Sequence, residues 1–217
     1  MVLLLGSALD LPLRERNVWL HAAGFAPAYG ESSLEAGCEG PLRKIVERIL
    51  AQQEPYPALA LTARWDVVQL NEAAGRLLTR FLEPPLDPLV TRNVLHALFH
   101  PRGLRPFVVN WDEVSGSLLD RLQRELFMAP EPEPIRELID ALVAYPGGLP
   151  GREEPPLGTP PAVCIDVHLR KGPLELRLFT TLTTLGTPID VAAQELRIES
   201  YFPIDEATSA WLRAQAQ

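Results

Sequence analysis

Thr183-Thr184-Leu185-Gly186-Thr187-Pro188-Ile189-Asp190-Val191-Ala192-Ala193-Gln194-Glu195-Leu196-Arg197-Ile198-Glu199-Ser200-Tyr201-Phe202-Pro203-Ile204-Asp205 sets a turn, an alternating strand and a helix start in fixed order. Gly186 and Pro188 stop what precedes them, because Gly opens unusual backbone angles and Pro lacks a donor and biases Thr187 away from helix. From 194 to 202 the residues alternate. Leu196, Ile198, Ser200 and Phe202 share one face, and Glu195, Arg197, Glu199 and Tyr201 the other, which is the period of a half-buried strand. Pro203 ends the strand, and Asp205 is placed to cap a terminal helix through Ala207, Ala210, Trp211 and Leu212.

Working upstream, Val163, Ile165, Val167 and Leu169 alternate with Cys164, Asp166, His168 and Arg170. Lys171-Gly172-Pro173 makes a turn. Leu174, Leu176, Leu178, Thr180 and Leu182 then alternate with Glu175, Arg177 and Phe179 on a return strand, so three antiparallel strands are expected. Their polar face gathers Asp166, His168, Glu175, Arg177, Glu195, Arg197 and Glu199, read as a solvated surface laced with ion pairs rather than an acid/base cluster. Two more short strands, 58 to 63 and 67 to 70, flank Arg64-Trp65-Asp66, and Asn71 can cap a helix over 72 to 79.

Helical spacing accounts for most of the remainder. Pro41 suits a first helical position ahead of Leu42, Ile45, Val46, Ile49 and Leu50. A short helix is expected over 92 to 100 and a longer one over 111 to 127, where Asn110 and Glu113 have capping-box spacing. Another runs from 134 to about 145. Before all of these, 2 to 9 and 13 to 23 read as short helices broken at Asp10-Leu11-Pro12, and 146 to 161 as a Pro/Gly-rich loop.

The 217 residues are 47% hydrophobic and 22% charged, enough for a sizeable core. The formal net charge of -8 opposes broad contact with a phosphate backbone. Cys38 and Cys164 form neither a disulfide framework nor a zinc spacing, and Met1 to Leu5 is too short for a membrane span. A soluble cytoplasmic protein without a membrane partner is expected. There is no GxSxG, HExxH, P-loop or GxGxxG, so neither an enzyme nor a cofactor is expected. His96 and His100 stand at i, i+4 without a third ligand, which argues against a metal, and Ser115 and Ser117 read as surface serines.

The segment 183 to 205 resembles the closing part of the MmyB-like transcription regulators, bacterial proteins that join an XRE-type helix-turn-helix to a PAS-like ligand-binding domain. Leu-Arg-Glu-Arg-Asn at 13 to 17, Arg-Asn-Val-Leu at 92 to 95 and Asn110-Trp111-Asp112-Glu113 extend the resemblance, while Ala192-Ala193 and Pro203-Ile204-Asp205 depart from the family's more frequent residues. It implies an α+β fold, a PAS-like antiparallel sheet with helices on one face, preceded by a two-helix remnant of an XRE helix-turn-helix domain. The expected division is 1–29 for the remnant, 30–40 for a linker and 41–217 for the PAS-like domain. The resemblance places the front of the DNA-binding domain upstream of Met1, so DNA would be contacted only through helices absent from this chain.

The residues alone leave open whether the apolar sheet face and its helices form a filled core or enclose a cavity. The resemblance favours a cavity for a small apolar, fatty-acid-like ligand that modulates DNA binding, in a chain that forms a homodimer. Its expected walls are Leu98, Phe99, Trp111, Val114, Leu118, Ile165, Val167, Leu176, Leu178 and Ile198, with Arg92 or Arg105 to meet a carboxylate head. The alternative is a protein-interaction or dimerisation domain with a filled core and no ligand.

Overall fold

The computed structural model describes residues 1–33, 40–129, 132–146, 164 and 166–216. Its strands are β1 (Ala58–Leu61), β2 (Val67–Leu70), β3 (Asp166–Lys171), β4 (Leu174–Thr183) and β5 (Arg197–Pro203). They join into one antiparallel sheet in the order β2-β1-β5-β4-β3, and with the surrounding helices give an α+β, PAS-like fold. The β3–β4 hairpin closes through Gly172, whose φ of 60° is open to a residue without a Cβ. Val163, Ile165 and the 147–161 part of the Pro/Gly-rich loop lie outside the described residues.

Pairing register assigns the two faces. Leu59 stands opposite Glu199, Leu182 opposite Glu199, Thr180 opposite Tyr201 and Val167 opposite Leu178, so these residues share one face. Ala58 and Ala60 oppose Ser200 and Ile198, and Phe179 opposes Phe202, on the other. The expected pattern for β3 and β4 holds. For β5 it inverts: Glu199 and Tyr201 join the leucines of β4, while Ile198 turns away from them. Leu61 opposite Arg197 belongs to the leucine side as well.

The helices are α1 (Val2–Ala8), α2 (Leu13–Ala22), α3 (Pro41–Gln52), α4 (Glu72–Phe81), α5 (Pro88–Arg92), α6 (Val94–Phe99), α7 (Trp111–Met128), α8 (Glu133–Val143), α9 (Val191–Glu195) and α10 (Glu206–Ala214). On the leucine side, Leu59, Leu61, Trp65, Ala74, Leu95, Phe99, Leu122, Leu138 and Leu142 form one buried cluster with residues from α4, α6, α7 and α8. On the opposite side, α3 packs Leu42, Val46 and Leu50 against Ala58, Ala60 and Ile198, where Ala192, Ala193 and Leu196 complete the layer. Small Ala side chains on β1 let α3 approach closely.

Several local boundaries differ from the sequence reading for identifiable reasons. The helix expected over 92 to 100 is α6, which starts at Val94 because Asn93 caps it, accepting from Leu95 N and His96 N while donating to the Arg64 carbonyl, and a separate α5 ends at Arg92. β5 starts at Arg197 rather than 194, since Asp190 caps the short α9 by accepting from Ala193 N at 3.1 Å. Asn110 makes no cap with its own helix. Its side chain instead joins α7 to β3, donating to the Asp166 carbonyl at 2.8 Å and accepting from His168 N at 3.1 Å.

The expected caps at Asn71 and Asp205 are present, the latter accepting from Thr208 N at 2.7 Å. Asn71 does far more than cap α4. Its Oδ1 accepts from Ala74 N at 2.9 Å and from Ala58 N at 3.0 Å, and its Nδ2 donates to the carbonyls of Tyr56 at 2.8 Å and Leu50 at 3.3 Å. One buried amide therefore binds the end of α3, the start of β1 and the first turn of α4. Replacing it strands buried backbone groups on three elements. Asn71→Ala is expected to cost about 3 kcal/mol, against about 1 kcal/mol for the single cap lost in Asp205→Ala. Urea unfolding measures both, and equal midpoints for the two variants would remove Asn71 from this role.

Candidate ligand-binding site

Between the leucine side of the sheet and α4 to α7 lies a cavity of about 550 Å³. The sheet contributes Leu59, Val67, Val167, Leu169, Leu178 and Thr180. Opposite them, α4 offers Ala74, Gly75, Leu77 and Leu78, α6 offers Val94, Leu95, Ala97 and Leu98, and α7 offers Val114, Ser117 and Leu118. Small residues at Ala74, Gly75 and Ala97 keep the helix side from filling the space. A volume of this size with mainly aliphatic walls suits a small apolar ligand.

Glu199 and Tyr201 on β5 and Arg121 and Arg124 on α7 break the apolar lining, beside the hydroxyls of Thr79, Thr91, Ser117 and Thr180. Glu199 is only 7% exposed, and its Oε2 is buried without a hydrogen-bond partner among the described residues. Burial pushes the Glu199 carboxyl up to about 7, against the Tyr201 hydrogen bond and the Arg121 charge that hold it down. Burial likewise raises the Tyr201 phenol well above its ordinary value, with the neighbouring Glu199 adding to the effect.

A second polar cluster fixes the wall behind them. Glu125 of α7 accepts from Arg197 Nη1 at 2.7 Å, from Arg121 Nε at 3.0 Å and from Trp65 Nε1 at 3.1 Å. Both guanidinium groups also lie over the Trp65 ring, at 5.0 Å for Arg121 and 5.5 Å for Arg197. Trp65 sits in the left-handed region at φ 65°, a strained conformation for a bulky residue, and is 1% exposed. Burial of the indole and its clamped position offset that strain, and the cluster ties α7 to the β1–β2 turn and to β5.

The residues expected from sequence divide accordingly. Leu98, Val114, Leu118, Val167 and Leu178 line the cavity. Phe99 and Trp111 stand behind it, packed edge to face with ring centroids 4.9 Å apart. Leu176 is fully buried in the adjoining cluster with Phe81, Val108 and Leu212, and Ile198 faces α3 across the sheet. Ile165 lies outside the described residues. Arg105 lies over the Trp111 ring at 5.0 Å, and Arg92 ends α5 on the surface, so neither guanidinium is among the cavity's lining groups.

Glu199, Arg121 and Tyr201 were not expected there. The signal for the two on β5 is β1, which pairs with it: Ala58-Leu59-Ala60-Leu61 has no polar residue and is buried throughout, so the sheet is covered on both faces there, while nothing in the sequence marks Arg121. The polar set read as solvated therefore splits. Arg177 pairs Asp166 at 2.9 Å and His168 pairs Glu175 on the outer face, whereas Arg197 and Glu199 point inward and Glu195 meets Arg14 from α2.

The other groups weighed for chemistry have structural partners. His96 is buried, with Nδ1 2.6 Å from the Tyr145 hydroxyl, and burial lowers its proton affinity. His100 packs edge to face on the same Tyr145 ring. Ser115 is buried rather than superficial, its hydroxyl 3.4 Å from the Asp112 carbonyl, and Ser117 faces the cavity. Among the described residues no group of three His, Cys, Asp or Glu side chains could hold a metal ion. No helix among them is long and apolar enough to cross a membrane.

Residues 42–214 match the family model described as the MmyB-like transcription regulator ligand binding domain. The chain belongs to that family, which is a ligand-binding class and not an enzyme class. No curated protein matches it.

The raised Glu199 carboxyl has a consequence for stability. In the unfolded chain it ionises near its ordinary value, and in the fold near 7, so between these values the folded state holds more protons. Its contribution is complete at low pH and is lost as pH rises towards and through about 7. Comparing wild type with Glu199→Leu by urea unfolding at pH 5 and pH 8 is expected to show the difference moving by roughly 3 kcal/mol in favour of the variant at pH 8. A pH-independent difference would place Glu199 in water.

Proposed function

We propose that this member of the MmyB-like family is the sensing part of a bacterial, cytoplasmic transcription regulator. Its cavity takes a small apolar ligand with a long alkyl body, fatty-acid-like, and occupancy modulates DNA binding. The observation that carries this reading is the cavity of about 550 Å³ walled by Leu, Val and Ala from the sheet and four helices. A filled interaction domain would close such a space, because interiors pack to the density of organic crystals.

Modulation requires that the ligand favour one arrangement of the N-terminal helices over another. A physical route exists. Leu13 N donates to Gln194 Oε1 at 2.6 Å and Arg14 Nε to Glu195 Oε1 at 2.6 Å, so α2 is docked on α9. The chain leaves α9 directly into β5, whose Glu199 and Tyr201 line the cavity. Ser32 adds hydrogen bonds to the α9 cap Asp190. On this reading residues 1–29 are the end of an XRE helix-turn-helix domain, 30–40 the linker and 41–217 the sensor, and DNA is met by helices other than α1 and α2. A homodimer would present two such domains to a symmetric site.

The purified chain is expected to carry a lipid-like molecule detectable by native mass spectrometry and solvent extraction. Saturating 1-dodecanol or dodecanoate should raise the Tm of stripped protein by about 5 °C, a linkage effect of ligand bound only to the fold. Leu118→Trp, which fills the cavity, should remove the shift while keeping the circular dichroism spectrum. Absence of any co-purifying molecule together with no shift from either probe would sink the ligand reading.

A further inference from the structure

An aliphatic cavity has no evident use for an ionisable floor. Glu199 nevertheless stands there, 7% exposed, beside Leu59 and Leu182 across the strands, with its Oε2 buried and unpaired among the described residues. The cations that line the cavity do not complete it: the Arg121 guanidinium is engaged by Glu125 and the Trp65 ring, and Arg124 is exposed. A buried oxygen of this kind is costly to leave unmade, and among the described residues the Tyr201 hydrogen bond to this carboxyl still leaves Oε2 unmet. An occupant of the cavity can supply the partner.

We propose that Glu199 Oε2 is the acceptor for a hydroxyl donor on the ligand, so that the cavity selects alkyl chains bearing a hydroxyl over chains of the same length without a donor. This rests on the apolar-ligand reading above and narrows it. A ligand carboxylate does not serve an ionised Glu199, since it only accepts hydrogen bonds and carries the same charge; it can pair only with the neutral acid, by accepting from it. A hydroxyl suits either protonation state, donating to the carboxylate or also accepting from the neutral acid. The Thr180 and Ser117 hydroxyls on the cavity walls extend the polar surface available to such a head group.

Direct binding at pH 8 of 1-dodecanol and dodecyl methyl ether, which share the chain and the oxygen but differ in the donor, tests the assignment. Wild type should bind the alcohol about tenfold more tightly or better, the scale of one buried hydrogen bond to a charged acceptor. Glu199→Leu should bring the two affinities together. A ratio near one in wild type, or a ratio that survives in Glu199→Leu, overturns the proposal and leaves the apolar cavity reading standing. Failure of both probes to bind overturns the two together. Should Glu199→Leu not fold, Glu199→Gln supplies an N–H that the ether can accept and should narrow the ratio; an unchanged ratio there also overturns it.

Discussion

The pairing register of β5 between β1 and β4 is the constraint on which the site depends. A strand repeats every two residues, so a shift of one would exchange every side chain between the faces. Ala58 and Ala60 against Ser200 and Ile198 give α3 a shallow surface to lie on, and Leu59 and Leu182 against Glu199 leave the other face to the cavity. The register is held from both ends. Asn71 fixes where β1 begins, and the Asp190 cap with the Asp205 cap sets helices immediately before and after β5.

This register imposes a cost on the fold. Bringing Glu199 inward desolvates a carboxyl, and a cavity of about 550 Å³ forgoes the dispersion contacts of a filled interior. A sequence selected for stability alone would place a leucine at 199 and larger side chains at Ala74 and Ala97. The Trp65–Glu125–Arg197 cluster works in the opposite direction, bracing α7 against the sheet beside the open space. Violations of the packing rules concentrated at one location, with a rigid frame next to them, are what a binding site produces.

The strands of the β3–β4 hairpin were legible because Val167, Leu169, Leu176 and Leu178 alternate with charges that reach solvent, so pattern and environment agree. Asn71 and Asp205 were legible because capping is local chemistry. The face of β5 was not. Ile198, Ser200 and Phe202 look more apolar than Glu199 and Tyr201, and period-2 reasoning assigns the apolar set to the core; with both faces covered, that inference loses its footing. Five of the expected wall residues, Leu98, Val114, Leu118, Val167 and Leu178, line the cavity; the last four sit on elements with a single buried face, whereas Leu98 is on α6, which is buried nearly all round. Arg92 and Arg105 stand near helix ends, and helix spacing says nothing of which cation turns inward across a sheet.

The same strand that carries the polar floor also emerges from α9, and α9 is where α2 is docked. On the proposed reading, a ligand that draws on Glu199 would act on a rigid ladder: β5 is hydrogen-bonded on both sides, so a displacement along its own axis is easier than a bend. At its start, Gln194 and Glu195 present the acceptors for Leu13 N and Arg14 within three residues of Arg197. The Arg14–Glu195 pair is partly exposed, its side chains 35% and 32% accessible, so it contributes little to holding α2 on α9. Strong burial at Glu199 and weak docking at Arg14 thus lie at the two ends of one short segment. The proposed sensing role would draw on such a gradient, because binding energy gathered at the tight end can only be read out where the contacts are loose enough to change.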